Sequence, residues 1–203
     1  MQPLLYAHPF SSYCQKVLIA LYENETPFIY RMLGSDDANA ELEALWPLKR
    51  FPVLVDNGRT VMEASVIIEY LGLRYPGHVR LLPEKPEAAL EVRTMDRFFD
   101  NYIMTPMQRI VFDFMRPEAE RDSRGVSEAR VLLDTAYAWL DGVMAGRSWA
   151  AGEDFTLADC AAAPSLFYAD WVHEIGGAFS NVRGNRNRLL ARPSFARAVD
   201  EAR

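Results

Sequence analysis

The chain has 203 residues, 50% of them apolar and 25% charged, which suits a globular protein with a sizeable core and the length of one large domain or two small ones. Its formal net charge of −6 argues against nucleic acid or an anionic membrane as the main partner. The apolar runs fall far short of a membrane span of ~20 residues. The N-terminus "MQPLLYAHPF" lacks the basic and long apolar regions of a signal peptide.

Taken in chain order, the first third alternates in type. "PLLYA" reads as a strand ending before His8-Pro9. "SYCQKVLIALYEN" has Val17, Ala20 and Leu21 at helical spacing. "PFIYRML" is again strand-like, and "NAELEALW" is a short helix closed by Pro47. "FPVLVD", Asn57-Gly58 and "RTVME" form a hairpin, two short apolar runs joined by a strong turn dipeptide. "SVIIEYLGLRY" is a helix stopped by Pro76-Gly77. The order is β-α-β-α-β-β-α. "YPGHVRLLPEKPEA" then carries three prolines and a glycine and reads as a linker.

Beyond Pro86 the strand signals vanish. "EAALEVRTMDRFFDNYIMTPMQRIVFDFMR" is a long helical pattern with an expected kink at Pro106. "VSEARVLLDTAYAWLDGVMAG" is a second helix, ended by Gly146. "TLADCAAAPSLFYADWVHEI" is a third, apolar on all sides and therefore central. "NRNRLLA" and "PSFARAVDEA" are short closing helices, and the arginines of this tail read as a solvated helix surface. The expected architecture is a small α/β domain over 1–78 and an all-helical domain over 86–203.

Two cysteines, Cys14 and Cys160, make no disulfide framework, and nothing points to an oxidising compartment. His8, His78 and His173 have no ligand spacing with either cysteine, so no metal site is expected. A cytoplasmic location is the default.

Four segments carry candidate chemistry. In "HPFSSYCQKVLIALYE", Ser12 and Gln15 have capping-box spacing. Ser11 then stands just before the cap, where orphan N–H groups and the positive helix end favour a developing anion such as a thiolate. The bland alternative is turn and cap formation alone. In "KRFPVLV", Pro52 is either an ordinary strand-entry proline or half of a cis Phe51–Pro52 bond presenting backbone to an extended peptide. In "TVMEASVIIEYL", Glu63 and Ser65 are either first-turn capping residues or an amino-acid clamp. In a clamp, Glu63 pairs with an ammonium, and the N–H groups of Ala64 and Ser65 hold a carboxylate. In "FTLADC", Thr156 and Asp159 form a capping box, with Phe155 and Cys160 at the spacing of a hydrophobic staple. Asp159 is given a structural role.

With these segments in this order, "SSYCQKVLIAL", "WPLKRFPVLV", "VMEASVIIEYL" and "WAAGEDFTLADCAAAPSLF", the chain resembles the cytosolic glutathione transferases. It is similar to their serine-type classes, with some likeness to the zeta and theta classes. The resemblance implies an α/β thioredoxin-like N-terminal domain that binds glutathione, an all-α C-terminal domain that shapes the electrophile pocket, and a homodimer. It implies conjugation of the glutathione thiolate to a small hydrophobic electrophile, with glutathione as co-substrate and no metal. By carry-over Ser11 is the catalytic hydroxyl, with Ser12 as substitute. Phe51, Pro52 and Val53 form the cis-proline turn, Glu63 the γ-glutamyl contact with Ala64 and Ser65 beside it, and Arg50 or Lys49 the glycine-carboxylate contact.

Tyr13, Tyr102, Met104, Met107 and Phe112, with Met115, are the candidate walls of the electrophile pocket; plain core packing or dimer contact explains each one as well. Three alternative functions stand beside the first. They are a glutathione-dependent isomerase or dehalogenase, a non-catalytic glutathione transferase-like binding protein, and thiol–disulfide exchange through Cys14.

Overall fold

A computed structural model describes residues 2–202, and these fall into two compact units. Among the described residues, one takes in 2–84 and 191–202, the other Lys85–Leu190. The sequence reading places the last helix in a helical domain over 86–203. The last helix joins the first unit.

The first unit is built on a four-stranded sheet ordered β2-β1-β3-β4. β1 (Leu4–Ala7) and β2 (Ile29–Met32) are parallel, joined through α1 (Ser12–Glu23). β3 (Val53–Asp56) runs antiparallel to β1 and pairs with β4 (Arg59–Met62) in a hairpin. The hairpin turns on Asn57 at φ 50° and Gly58 at φ 80°, the left-handed conformations that an Asn-Gly turn supplies at low steric cost.

Side-chain alternation divides the sheet between two layers. Tyr6 and Val53 point to α2 (Asp36–Leu45), where they pack with Leu33, Ala38 and Leu42. Leu5 and Leu54, both wholly buried, are left to the opposite face with α1 and α3 (Ala64–Arg74), which pack on each other. Buried Asp56 accepts hydrogen bonds from Tyr70 Oη and Tyr75 Oη, each at 2.8 Å, which fastens the hairpin to α3 and its C-cap. The C-terminal helix α9 (Pro193–Asp200) packs on α1. Arg192 grips the Glu23 carboxylate with two bonds of 2.7 and 2.6 Å, and Ser194 Oγ donates to the same carboxylate.

The second unit is helical. α4 (Pro86–Phe98) runs into a π-helical segment, Phe99–Met104, and on into α5 (Thr105–Phe114). The sequence places a kink at Pro106. The helix instead widens before it, with the Thr105 N–H bonded to Asp100 C=O five residues back. A proline ring clashes with the carbonyl four residues earlier, and the wider turn relieves that conflict. α6 (Ser123–Met144), α7 (Leu157–Val172) and α8 (Ser180–Leu190) complete the unit. α7 is its core helix: Leu157, Ala158, Cys160, Ala162 and Leu166 are wholly buried. Its first turn hangs on Asp159, also wholly buried, which accepts from Thr156 N at 2.9 Å and Ala150 N at 2.8 Å. Among the described residues no helix is long and apolar enough to cross a membrane.

Candidate functional site

Strand register brings three of the four candidate segments to one end of the sheet. β1 ends at Ala7, β3 begins at Val53 opposite Tyr6, and β4 ends at Met62 opposite Val53. The 8–11 loop, the Phe51–Pro52 step and the Met62–Ala64 step therefore leave or enter the sheet together.

Ser11 is the N-cap of α1, in extended conformation, and its Oγ accepts from Cys14 N at 3.3 Å. This corrects the sequence assignment of the cap to Ser12. Ser11 N donates to His8 C=O at 3.0 Å, and that turn delivers Ser11, one residue earlier than the S-x-x-Q spacing suggests, into the capping position. Ser12 becomes the first helical residue and is buried. Gln15 does not reach back to the cap. Its Nε2 donates to Pro9 C=O at 3.0 Å and closes the loop from inside. Ser11 stays partly exposed, so of the two serines it is the one a ligand can meet.

Cys14 lies behind it, wholly buried. Loss of water around the sulfur pushes its thiol up to about 12, against the opposing pull of the Ser11 hydroxyl and the His8 N–H beside it.

The Phe51–Pro52 bond is cis. Phe51 is exposed, Pro52 is buried, and Val53 is fully buried as the first residue of an interior strand. Lys49 and Arg50 precede them on the surface. Lys49 takes φ 53° and its Nζ sits 2.8 Å from Glu43 Oε2. Glu63, exposed, takes φ 68° as the N-cap of α3, and it supplies no side-chain cap. A non-glycine residue at such φ is uncommon and costs free energy unless its surroundings hold it there. Ala64 is buried beneath. Ser65 Oγ accepts from Lys16 Nζ at 2.9 Å, a bond that links α3 to α1. The sequence reading missed Lys16, since a lysine in a helix ordinarily faces water.

The expected wall residues do not behave alike. Met104 and Met107 are buried, 1% and 4% exposed. Tyr102, Phe112 and Met115 are exposed and Tyr13 is partly so. Tyr102 lines an apolar groove of the second unit, about 730 Å³, with Leu90, Phe98, Leu132 and Trp139.

Comparison with known proteins agrees with this layout. The family model for the glutathione S-transferase N-terminal domain matches residues 5–79, and that for the C-terminal domain matches residues 103–193. A glutathione S-transferase from Methylobacterium radiotolerans, solved in complex with glutathione sulfonate, is 30% identical over 98% of this chain and 95% of its own, with a TM-score of 0.84. The chain belongs to the glutathione S-transferase family. Curated relatives in the family carry two kinds of name. The stringent starvation protein A homolog of Coxiella burnetii is 28% identical over 98% of this chain and 91% of its own. Glutathione S-transferase GstB of Escherichia coli K12 is 26% identical over 93% of each. The family fold, a thioredoxin-like sheet domain followed by a helical domain, is the one described above.

Proposed function

We propose that the protein is a glutathione transferase in which the Ser11 hydroxyl activates the glutathione thiol for attack on a hydrophobic electrophile. The observation that carries this reading is the cap of α1. Ser11 is the partly exposed hydroxyl at the mouth of that helix, while Ser12 and Cys14 are buried. Its oxygen accepts from the helix and its O–H is a donor for a sulfur anion. The positive helix end adds to the stabilisation. A thiol bound there loses its proton to solvent, and the sulfur lone pair forms the new S–C bond while the electrophile's leaving group departs with its bonding pair or, in an addition, its displaced π pair takes a proton from solvent.

The remaining contacts follow from the same end of the sheet. The backbone around Phe51, Pro52 and Val53 receives the cysteinyl portion. Glu63 pairs with the γ-glutamyl ammonium, and the first-turn N–H groups of Ala64 and Ser65 take the adjoining carboxylate. Arg50 is the better partner for the glycine carboxylate, because Lys49 is engaged with Glu43.

Thiolate absorbance followed against pH tests the reading. With wild type, the bound thiol is expected to titrate roughly 2 units below free glutathione. Ser11→Ala is expected to abolish most of that shift and slow conjugation by about a hundredfold, the cost of removing one donor from a developing anion. A bound thiol that titrates as it does in water would overturn it.

One observation favours a second reading. The chain is as similar to a protein named for stringent starvation as to a named transferase. Glutathione bound without activation would place this chain among binding proteins of the family.

The homodimer reading is supported by the groove between α4, the π-helical segment and α6. Trp139 and Tyr102, each 50% exposed, stand on the same surface as the cavity they line. An exposed apolar groove lined by half-exposed aromatics is the kind of self-complementary patch that a two-fold interface buries. Light scattering is expected to give a dimer for wild type and a monomer for Trp139→Glu. A monomeric wild type would refute it.

A further inference from the structure

At the mouth of α1, His8, Cys14 and Ser11 close a ring of hydrogen bonds. His8 N–H donates to Cys14 Sγ at 3.4 Å, Cys14 N–H donates to Ser11 Oγ at 3.3 Å, and Ser11 N–H donates to His8 C=O at 3.0 Å. His8 enters that ring through its backbone alone, which any residue would supply. Its side chain adds a further bond. Nδ1 accepts from Phe10 N–H at 3.3 Å, and the imidazole lies 5.9 Å from the Phe10 ring, tilted by 32°, within the range of aromatic pairing. A nitrogen that accepts carries no proton, so the neutral ring holds its proton on Nε2.

His8, Pro9, Phe10 and Ser11 form one turn, closed by the Ser11 N–H bond to His8 C=O. The first position of such turns favours Asn, Asp and Ser, whose short side chains accept from an N–H two residues on. His8 does the same with Nδ1. Pro9 is buried and its C=O is taken by Gln15, which fixes the inner side of the turn. Phe10 is 59% exposed, so burial does not fix the outer side. The imidazole of His8 does.

We propose that the His8 side chain is a positioning residue for the Ser11 hydroxyl. It sets the turn through Phe10, and the turn sets where the cap of α1 places Ser11 Oγ; His8 itself does not touch the sulfur. Water can satisfy the Phe10 N–H in many loop conformations, whereas the imidazole selects one. Catalysis is sensitive to that selection, since a shift of about 1 Å in an acting group can cost on the order of a hundredfold in rate. The proposal rests on the glutathione reading given above.

Steady-state kinetics and thiolate titration of position 8 variants, with and without Ser11→Ala, separate this role from a structural one. Leucine keeps bulk but has no acceptor, and His8→Ala repeats the test with a smaller side chain. Asparagine keeps an acceptor in the place of Nδ1. His8→Leu and His8→Ala are expected to lower kcat about tenfold, part of the effect of removing the Ser11 donor itself. They should move the bound thiol's titration back towards that of free glutathione and leave KM for glutathione nearly unchanged. His8→Asn is expected to restore most of kcat. In the Ser11→Ala background, His8→Leu is expected to cost nothing further, because the hydroxyl it positions is gone. A loss that persists in that background, an asparagine that fails to rescue, or full activity in His8→Leu and His8→Ala would overturn the proposal while leaving the transferase reading intact. A Ser11→Ala variant that titrates and turns over like wild type would remove both.

Discussion

Cys14 is expected to stay unmodified when the native protein is treated with iodoacetamide at neutral pH. The thiolate is the nucleophile, and a thiol pushed up to about 12 holds only about 3 in 10⁵ of its population as thiolate at pH 7.5, against roughly a tenth for an exposed cysteine. The anion is therefore rarer by about three thousandfold, before access is considered. Access works the same way, since Cys14 has no exposed surface. Cys160 is equally buried, so native protein should give no reactive thiol and denatured protein two. The same proton has a consequence for stability. The unfolded chain releases it near pH 9, while the folded chain holds it until about 12. Stability should thus fall as pH rises through that window. A native thiol that labels within minutes and maps to Cys14 would return the thiol–disulfide reading to the front.

That prediction also shows where sequence reasoning stops. The "SSYC" stretch announces a helix start with hydroxyls at its mouth, because capping chemistry is local. Which serine caps is decided by the turn from His8 to Ser11 and by Gln15 reaching Pro9 C=O, and neither is visible as spacing. The hairpin was legible for the local reason: Asn57-Gly58 states its own backbone conformation. For Phe51–Pro52 the sequence leaves both isomers open, and the fold selects cis.

Lys16 escaped because helical periodicity assumes one wet face. Nine of the twelve residues of α1 are buried, Ser12 and Cys14 to Leu21, so the helix has almost no wet face to give. The role of the last helix was equally hidden. Its arginine-rich surface reads as solvated, yet Arg192 closes on Glu23, whose side chain is 7% exposed, a partner 169 residues away in the chain. Pairings at that separation leave no periodic trace.

Asp159→Ala is expected to be among the most damaging single changes outside the site. The carboxylate is wholly buried and its two oxygens divide their work. Oδ1 accepts from Ala150 N at 2.8 Å. Oδ2 accepts from Thr156 N at 2.9 Å and from the Thr156 hydroxyl at 3.2 Å. One side chain therefore starts α7 and also fixes the loop that leads into it. Alanine leaves two buried backbone N–H groups without acceptors at about 1–3 kcal/mol each, where no water reaches to replace them. A total near 3 kcal/mol is a large share of the roughly 5–15 kcal/mol that holds a domain folded. For a chain of this length it corresponds to a fall in melting temperature of about 10 °C. Asparagine is the sharper variant. It preserves shape and volume but offers an NH₂ where one oxygen now accepts, so it should recover only part of the loss. Calorimetric melting of wild type, Asp159→Asn and Asp159→Ala should rank in that order. If both variants melt within a degree or two of wild type, the start of α7 is held by its apolar burial instead, and the buried carboxylate has another purpose.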